Sequence, residues 1–324
     1  MMAGCDTFLM IGSSIPYSEF LPDYGQARGI QIDIDPTMIG IRYPMELNLV
    51  GDARATLAAL LPLLEPVPDR SWEEELRAEI ADWWRLLERR AMLDAEPVNP
   101  QRVFWELSAH LPDDAIVTSD SGSSANWYAR DLRFRGTMRG SLSGTLATMG
   151  PGVPYAIGAK FGHPDRPVVA CVGDGAMQMN GMNELITISR YWQEWPDPRL
   201  VVLVLNNEDL NQVTWEMRAM SEITKFEASQ TLPAFDYAAF ARSLGLGGLR
   251  ITEPGGIADT WAQAFASDRP VVVDAIVDPE VPPIPPHTDL DQVKSITKAI
   301  LKGDPGARRI ITQGIKEKLQ ELRP

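Results

Sequence analysis

The chain has 324 residues, length enough for about two domains of ~100–200 residues each. With 44% apolar and 23% charged residues it reads as a globular protein with a real core, and 30 Lys and Arg against 44 Asp and Glu leave a net charge of −14, the wrong sign for a nucleic-acid face. No apolar run approaches the ~18 residues of a membrane span, no charged-then-apolar leader opens the chain, and Cys5 and Cys171 sit inside apolar runs, which together point to a reduced, cytoplasmic protein.

The first segment alternates strand and helix. Thr7–Ile11 is a short apolar run stopped by Gly12-Ser13-Ser14, which predicts a buried strand and a turn. Ile30–Asp35 alternates with period two and ends at Pro36, a second strand. Leu47–Val50 is a third, and Gly51-Asp52 then caps an Ala- and Leu-rich helix over Ala53–Leu64. This alternation belongs to a doubly wound α/β sheet. Three strands before the break at Pro62, Pro66 and Pro68 bury little core, so residues 1–66 read as the second half of a domain. A long polar helix, Ser71–Met92, follows within a linker over 67–97. It carries Trp72, Leu76, Ile80, Trp83, Trp84 and Leu87 along one side, with Ser71 and Glu74 placed as a capping box. It is expected to pack across a domain junction.

Residues 98–280 read as a complete parallel-sheet domain. Helices are expected over Val103–Leu111, Pro151–Lys160, Met182–Tyr191, Phe235–Leu244 and Gly256–Phe265. Strands are expected over Ala115–Ser119, Pro167–Val172, Leu200–Leu205 and Val271–Ile276, and Gly122–Arg130 is a loop entering a helix. Pro282, Pro283, Pro285 and Pro286 then lead into a helical tail within 281–324.

The chemistry concentrates at two strand ends. One strand runs into Gly173-Asp174-Gly175 and a helix; another runs into Asn206-Asn207. Asp174 and Asn207 are 33 residues apart, the span of one strand–helix–strand crossover, so a carboxylate and an amide meet at the carboxyl edge of one parallel sheet. Those residue types suit Mg²⁺ on a diphosphate: the ion wants oxygen ligands and takes some from phosphates. Asp174 and Asn207 offer side-chain oxygens, and Asp209 a backbone carbonyl. Gly173 and Gly175 let N–H groups approach phosphate closely at a helix start. Either motif alone is ordinary turn chemistry; both at crossover spacing form a specific pattern. Three histidines, His110, His163 and His287, do not make a zinc or histidine-cluster site.

On these motifs the sequence resembles the thiamine-diphosphate-dependent enzymes of the pyruvate oxidase, quinone-linked pyruvate dehydrogenase and acetolactate synthase type, whose signature is Gly-Asp-Gly, about thirty residues, then Asn-Asn. Tyr191–Arg199, a Trp- and Pro-rich insertion, carries the extra length of the spacing here. The likeness runs over essentially the whole chain, including Cys5–Gly12, Gln31–Pro36, Leu49–Asp52 and Ile284-Pro285-Pro286. It implies that Gly173, Asp174, Gly175, Ala176, Asn207 and Asp209 meet Mg²⁺–thiamine diphosphate, with Ser121-Gly122 beside them. Ala147, Thr148 and Met149 would meet the aminopyrimidine, Met149 either as a wedge that bends the cofactor or as a core methionine. Glu208, Leu210, Gln212 and Trp215 would follow the metal loop as pocket border, solvated or core positions. In flavin-containing relatives the central domain binds FAD with a turn like Gly12–Pro16 and an acidic strand end like Asp33; the alternative is that Asp33 only ends its strand.

The resemblance further implies decarboxylation of a 2-keto acid, with pyruvate the expected substrate and the two-carbon product either oxidised through FAD or joined to a second keto acid as acetolactate. Relatives carry a pyrimidine-binding domain that supplies a glutamate to the cofactor; no residue here takes that role. A homo-oligomer or a partner chain bearing that domain is therefore expected, and the chain alone is expected to bind cofactor weakly, if at all, and not to turn over. A non-catalytic assembly module is the rival from another class, and a nicotinamide dehydrogenase is disfavoured because no Gly-x-Gly-x-x-Gly follows a strand. In the tail, Ile311, Ile315, Leu319 and Leu322 share a helical face with Arg308, Arg309, Lys316, Lys318 and Arg323 around it, a net +3 over 308–323. That segment either docks peripherally on a membrane, as in quinone-linked relatives, or folds back on its own domain.

Overall fold

The computed structural model describes residues 2–13, 15, 20–143, 146–283 and 290–321. The turn positions Ser14 and Pro16, the Ile284-Pro285-Pro286 match, His287, and Leu322 and Arg323 at the end of the tail lie outside these. The described chain divides into two units, Met1–Trp83 and Trp84–Pro324.

In the first unit, β1 (Thr7–Ile11), β2 (Arg28–Asp33) and β3 (Leu47–Val50) make a parallel sheet in that order. Register pairs Ile11 with Ile32, and the Gly12 N–H extends the ladder to the Ile32 carbonyl at 2.9 Å. Asp52 caps α1 (Ala53–Leu60), its carboxylate accepting the Ala55 N–H at 2.9 Å. This helix stops short of the expected Leu64 because Pro62 converts its end to a 3₁₀ turn over Leu61–Leu63. Helix α2 (Ser71–Ala91) then passes into the second unit. Its cap corrects the expected capping box: Ser71 is already helical, and the Asp69 carboxylate accepts its N–H at 2.9 Å. Of the row on its apolar side, Leu87 is buried while Trp72 and Ile80 stay exposed. Trp84 stacks on the Arg133 guanidinium at 4.3 Å, with Trp105 on the same guanidinium at 4.8 Å.

The second unit is built on a six-stranded all-parallel sheet. Its helices and strands, in chain order, are α3 (Pro100–His110), β4 (Ile116–Ser119), α4 (Ser123–Asp131), β5 (Arg139–Leu142), α5 (Gly152–Gly162), β6 (Val168–Gly173), α6 (Asp174–Ala176), α7 (Met182–Tyr191), β7 (Leu200–Asn206), α8 (Asn211–Ser221), α9 (Glu227–Gln230), α10 (Tyr237–Ser243), β8 (Gly247–Ile251), α11 (Ile257–Phe265), β9 (Val271–Ile276), α12 (Leu290–Leu301) and α13 (Ala307–Glu321). Strand order is β5-β4-β6-β7-β9-β8. The central strands are continuous apolar runs, Leu-Val-Val-Leu-Val-Leu in β7 and Val-Val-Ala-Cys-Val in β6, because both faces are covered. One face packs Phe104, Leu107, Trp127 and Trp261 against Val169, Cys171 and Leu203; the other packs Ile157, Leu185, Ile188 and Tyr237 against Val168, Ala170 and Val202.

Beyond the strands expected from sequence, the sheet gains β5 and β8 at its two edges. Neither carries an apolar run: β5 is Arg-Gly-Ser-Leu, exposed throughout. The chain order steps to one side of β4 to form β5 and to the other side to form β6, which places a crevice at their carboxyl ends. The tail folds back on its own unit: Ile310 is buried, and Gln313 and Lys316 both donate to the Asp94 carbonyl, at 3.2 and 2.8 Å. Its Ile311, Ile315 and Leu319 remain 48–57% exposed. Among the described residues no helix is long and apolar enough to cross a membrane.

Candidate functional site

At the carboxyl ends of β4, β6 and β7 lies an open pocket walled by Gly122, Met149, Asp174, Asn207 and Leu210. The Asp174 carboxylate is its organising group. Asp174 Oδ2 accepts the Asn207 N–H at 2.9 Å and the Glu208 N–H at 2.6 Å, and Oδ1 accepts the Gly175 N–H at 2.8 Å. The end of β6 is thereby tied to the loop after β7. Glu208 reaches this geometry with φ at +55°, left-handed for a residue that is not glycine. Burial pushes the Asp174 carboxyl up to about 7, against the pull of the amides of Glu208, Gly175 and Asn207.

The two asparagines after β7 divide the work. Asn206 is buried and donates to Asp274 Oδ1 at 3.0 Å and to the Phe235 carbonyl at 3.1 Å, fixing the strand end. Asn207 lines the pocket, and its amide oxygen accepts the Asp209 N–H at 3.1 Å, which leaves that oxygen a second lone pair. The Asp209 carboxylate is taken up by Lys225 Nζ at 3.0 Å, Thr214 Oγ1 at 2.9 Å and Asn211 Nδ2 at 3.3 Å, so the carbonyl is the oxygen this residue has to offer.

Three helices begin at the pocket wall: α4 behind Gly122 (φ +107°), the α6–α7 helix at Asp174, and α8 at Asn211. A five-residue π-turn, Met177–Gly181, joins α6 to α7, so that helix runs on for several turns. Helix starts present unpaired N–H groups and a positive dipole end, an environment for an anion. At Gly175 a Cβ would stand 2.8 Å from Leu210 Cδ2 and 3.2 Å from Met149 Cε, so any side chain there would push on two residues of the pocket wall.

Met149 is positioned by a residue that the sequence reading did not single out. Asp120, at the end of β4 and 1% exposed, accepts the N–H groups of Gly150 at 2.7 Å and Gly152 at 3.1 Å through one oxygen. Burial pushes its carboxyl up to about 6 despite those two amides. Its signal in the sequence was its place: an acidic residue one step beyond a strand of the same parallel sheet.

The structure therefore brings together Met149, Gly173, Asp174, Gly175, Ala176, Asn207 and Asp209, with Ser121, Gly122, Leu210 and Gln212 beside them. It does not bring Ala147 or Thr148 into the wall. Ala147 is exposed at φ +47°, and Thr148 donates its N–H to Ser143 Oγ at 3.1 Å. Trp215 is a core residue, 3% exposed, with its ring N–H on the Pro279 carbonyl at 3.0 Å. In the first unit Gly12 and Asp33 stand side by side at the carboxyl edge of its own sheet, and Asp33 Oδ1 accepts the Asp35 N–H at 3.0 Å.

The donor set fits a magnesium diphosphate. Among the described residues no group of three His, Cys, Asp or Glu side chains could hold a metal by itself. One buried carboxylate, one amide oxygen and one carbonyl under three helix starts leave coordination positions for phosphate oxygens, the arrangement Mg²⁺ favours. A dication beside Asp174 would also offset the burial that now drives its carboxyl toward the neutral form.

Comparison with known proteins agrees with this geometry. The family described as thiamine pyrophosphate enzyme, C-terminal TPP binding domain, matches residues 120–275, and thiamine pyrophosphate enzyme, central domain, matches residues 1–60. The chain is 34% identical over 321 residues to a putative thiamine pyrophosphate-containing protein, YdaP, of Bacillus subtilis, covering 99% of this chain and 54% of that one. It is 34% identical over 260 residues to the acetolactate synthase isozyme 3 large subunit of Escherichia coli, covering 77% of this chain and 43% of that one. With the pyruvate oxidase of Lactiplantibacillus plantarum it shares 27% over 288 residues, 85% of this chain and 45% of the other. The chain spans about half the length of the curated relatives it matches. By fold, site and sequence, the chain belongs to the thiamine pyrophosphate enzymes, matching their central and C-terminal, cofactor-binding domains.

Proposed function

We propose that this chain holds Mg²⁺–thiamine diphosphate in the pocket at the ends of β4, β6 and β7, and serves an enzyme that decarboxylates a 2-keto acid, pyruvate being the favoured substrate. The observation that carries the reading is the Asp174 carboxylate bridging Gly175 to Asn207 and Glu208 beneath three helix starts. When bound, thiamine diphosphate supplies the carbon nucleophile and electron sink that let a 2-keto acid lose CO₂. Asp174, Asn207 and the Asp209 carbonyl would hold the metal. The amides at the starts of α4, α6 and α8 would receive phosphate oxygens, and Met149 would press on the cofactor from the pocket wall.

The site would be completed by another chain or segment that carries a pyrimidine-binding domain, in a homo-oligomer or with a distinct partner. What supports this is that the carboxylates among the described pocket residues, Asp174 and Asp209, are both committed to donors of this chain. Native mass and cofactor content of what co-purifies with a tagged chain test it; decarboxylation of pyruvate by the purified chain without a partner would overturn it. Flavin reduction by pyruvate favours an oxidase in which Gly12 and Asp33 meet FAD. Acetolactate formation without flavin reduction favours a carboligase. A chain that keeps its partner but binds no cofactor is the assembly module.

The exposed row Ile311, Ile315 and Leu319, close to Lys316 on α13, supports peripheral contact with an anionic lipid surface. Liposome flotation that is indifferent both to anionic lipid and to loss of residues 308–324 would overturn that contact.

A further inference from the structure

The loop after β7 is held from a direction that neither of its motifs reveals. Helix α8 ends at Glu222 (φ +56°), where the chain reverses and delivers Lys225 back to the loop. The Lys225 ammonium meets Asp209 Oδ1 at 3.0 Å, while the backbone N–H of the same residue donates to Asp304 Oδ2 at 3.0 Å. Asp304 lies in the turn between α12 and α13, and its side chain is fully buried. Besides Lys225, its carboxylate takes Arg218 Nε at 3.0 Å, Arg218 Nη2 at 2.8 Å and the Gly306 N–H at 2.8 Å. Arg218, 1% exposed on α8, also reaches Glu280 Oε2 at 2.8 Å. The turn sits flush on this cluster: a Cβ on Gly306 would stand 2.2 Å from Glu280 Oε1.

Burial of one guanidinium with two carboxylates carries a desolvation cost that only close, well-oriented contacts offset. Here Arg218 on α8 meets Glu280 after β9 and Asp304 in the tail turn, and the Lys225 and Gly306 N–H groups complete the Asp304 carboxylate. Removing the tail's contribution would leave Arg218 in the interior with one partner fewer and free the Lys225 backbone. The surface pair Lys298–Glu222, 2.6 Å apart, lies outside this chain of contacts.

We propose that Asp304 and Lys225 are positioning residues that strap the metal loop from the tail side, Asp304 fixing Lys225 and Lys225 fixing Asp209. The strap rests on the proposed Mg²⁺ site, which it deepens, because it would determine where the Asp209 carbonyl stands. Neither side chain would touch the cofactor.

The test uses the full chain and the variants Lys225→Met, Asp304→Asn and the surface control Lys298→Met, with two readouts. The first is amide hydrogen exchange of the cofactor-free chain. Lys225→Met and Asp304→Asn should each speed exchange over residues 207–211 by about tenfold and leave 168–172 at parental rates. The second is the Mg²⁺ concentration for half-maximal binding of thiamine diphosphate, which both should raise by about fivefold, a shift that a merely structural tie would not produce. Lys298→Met should change neither. Should Asp304→Asn fail to fold, Lys225→Met decides, since it leaves the Arg218 cluster intact. Unchanged exchange over 207–211 in Lys225→Met overturns the strap, and faster exchange with an unmoved Mg²⁺ requirement overturns its role at the metal. A parental chain that, together with what co-purifies with it, binds no Mg²⁺–thiamine diphosphate overturns the proposed function, and exchange then still decides whether the loop is strapped.

Discussion

The Glu208 N–H lies 2.6 Å from Asp174 Oδ2, across the gap between the ends of two neighbouring parallel strands. To put it there, Glu208 adopts φ +55°, a conformation that costs a residue with a Cβ about 1–2 kcal/mol. Glycine adopts it freely but loses more entropy on folding. Glu208→Gly is therefore expected to raise stability by up to about 1 kcal/mol, and Glu208→Val to lower it by a similar amount. Thermal melts of the two variants check this; a stable Val variant would mean that the loop does not depend on the left-handed turn.

Gly175→Ala pushes a methyl against Leu210 Cδ2 and Met149 Cε, which are the tips of flexible side chains. The fold should absorb this at about 1 kcal/mol. Both tips line the pocket, however, so cofactor affinity should fall by more than tenfold. Comparing the melting temperature with the binding constant separates the two effects. Equal loss in both would place Gly175 in the core rather than at the ligand.

Asp120→Ala strips the acceptor from two buried amides, those of Gly150 and Gly152. An orphaned buried donor costs about 1–3 kcal/mol, so this variant should lose about 2 kcal/mol or more, while Asp120→Asn, which keeps an oxygen, should recover most of it. Denaturant melts measure both. Parity between Ala and Asn would show that the 149–152 loop is held by something else.

Asp131 has the clearest pH signature. It is fully buried at the end of α4, and neither carboxylate oxygen has a hydrogen-bond partner among the described residues. Burial pushes it up to about 8, and the nearby Arg130 and Arg90 guanidiniums only partly counter that. Because the folded value lies above the unfolded one, the native state binds more protons between pH ~4 and ~8, and this group's contribution is lost as pH rises through that window. Asp131→Asn, which imitates the protonated acid, should match the parent near pH 4 and exceed it in stability at pH 8. Melts at several pH values test this, and parallel curves for the two proteins would refute it.

Much of this architecture was legible in the sequence, for a physical reason. Central strands buried on both faces must be apolar runs, so β6, β7 and β9 announced themselves, and the motif residues follow directly from the ends of β6 and β7. Edge strands answer to no such demand; Arg139–Leu142 and Gly247–Ile251 carry no apolar run that would mark them as strands. The spacing of Asp174 and Asn207 foretold their meeting, but not that Asp174 would grip backbone amides or that Asn206 would turn inward to Asp274. Contacts between distant segments left no local mark. Asp120 holds a loop 30 residues ahead, and Arg218 meets Asp304 across 86 residues. Charges placed for burial look in sequence like any solvated face.

Binding of thiamine diphosphate to the chain together with what co-purifies with it, titrated with and without Mg²⁺ and repeated for Asp174→Ala, tests the central claim most directly. The account expects saturable binding that requires Mg²⁺ and is abolished by Asp174→Ala while that variant stays folded. Binding that ignores Mg²⁺, or that Asp174→Ala leaves unchanged, would contradict it.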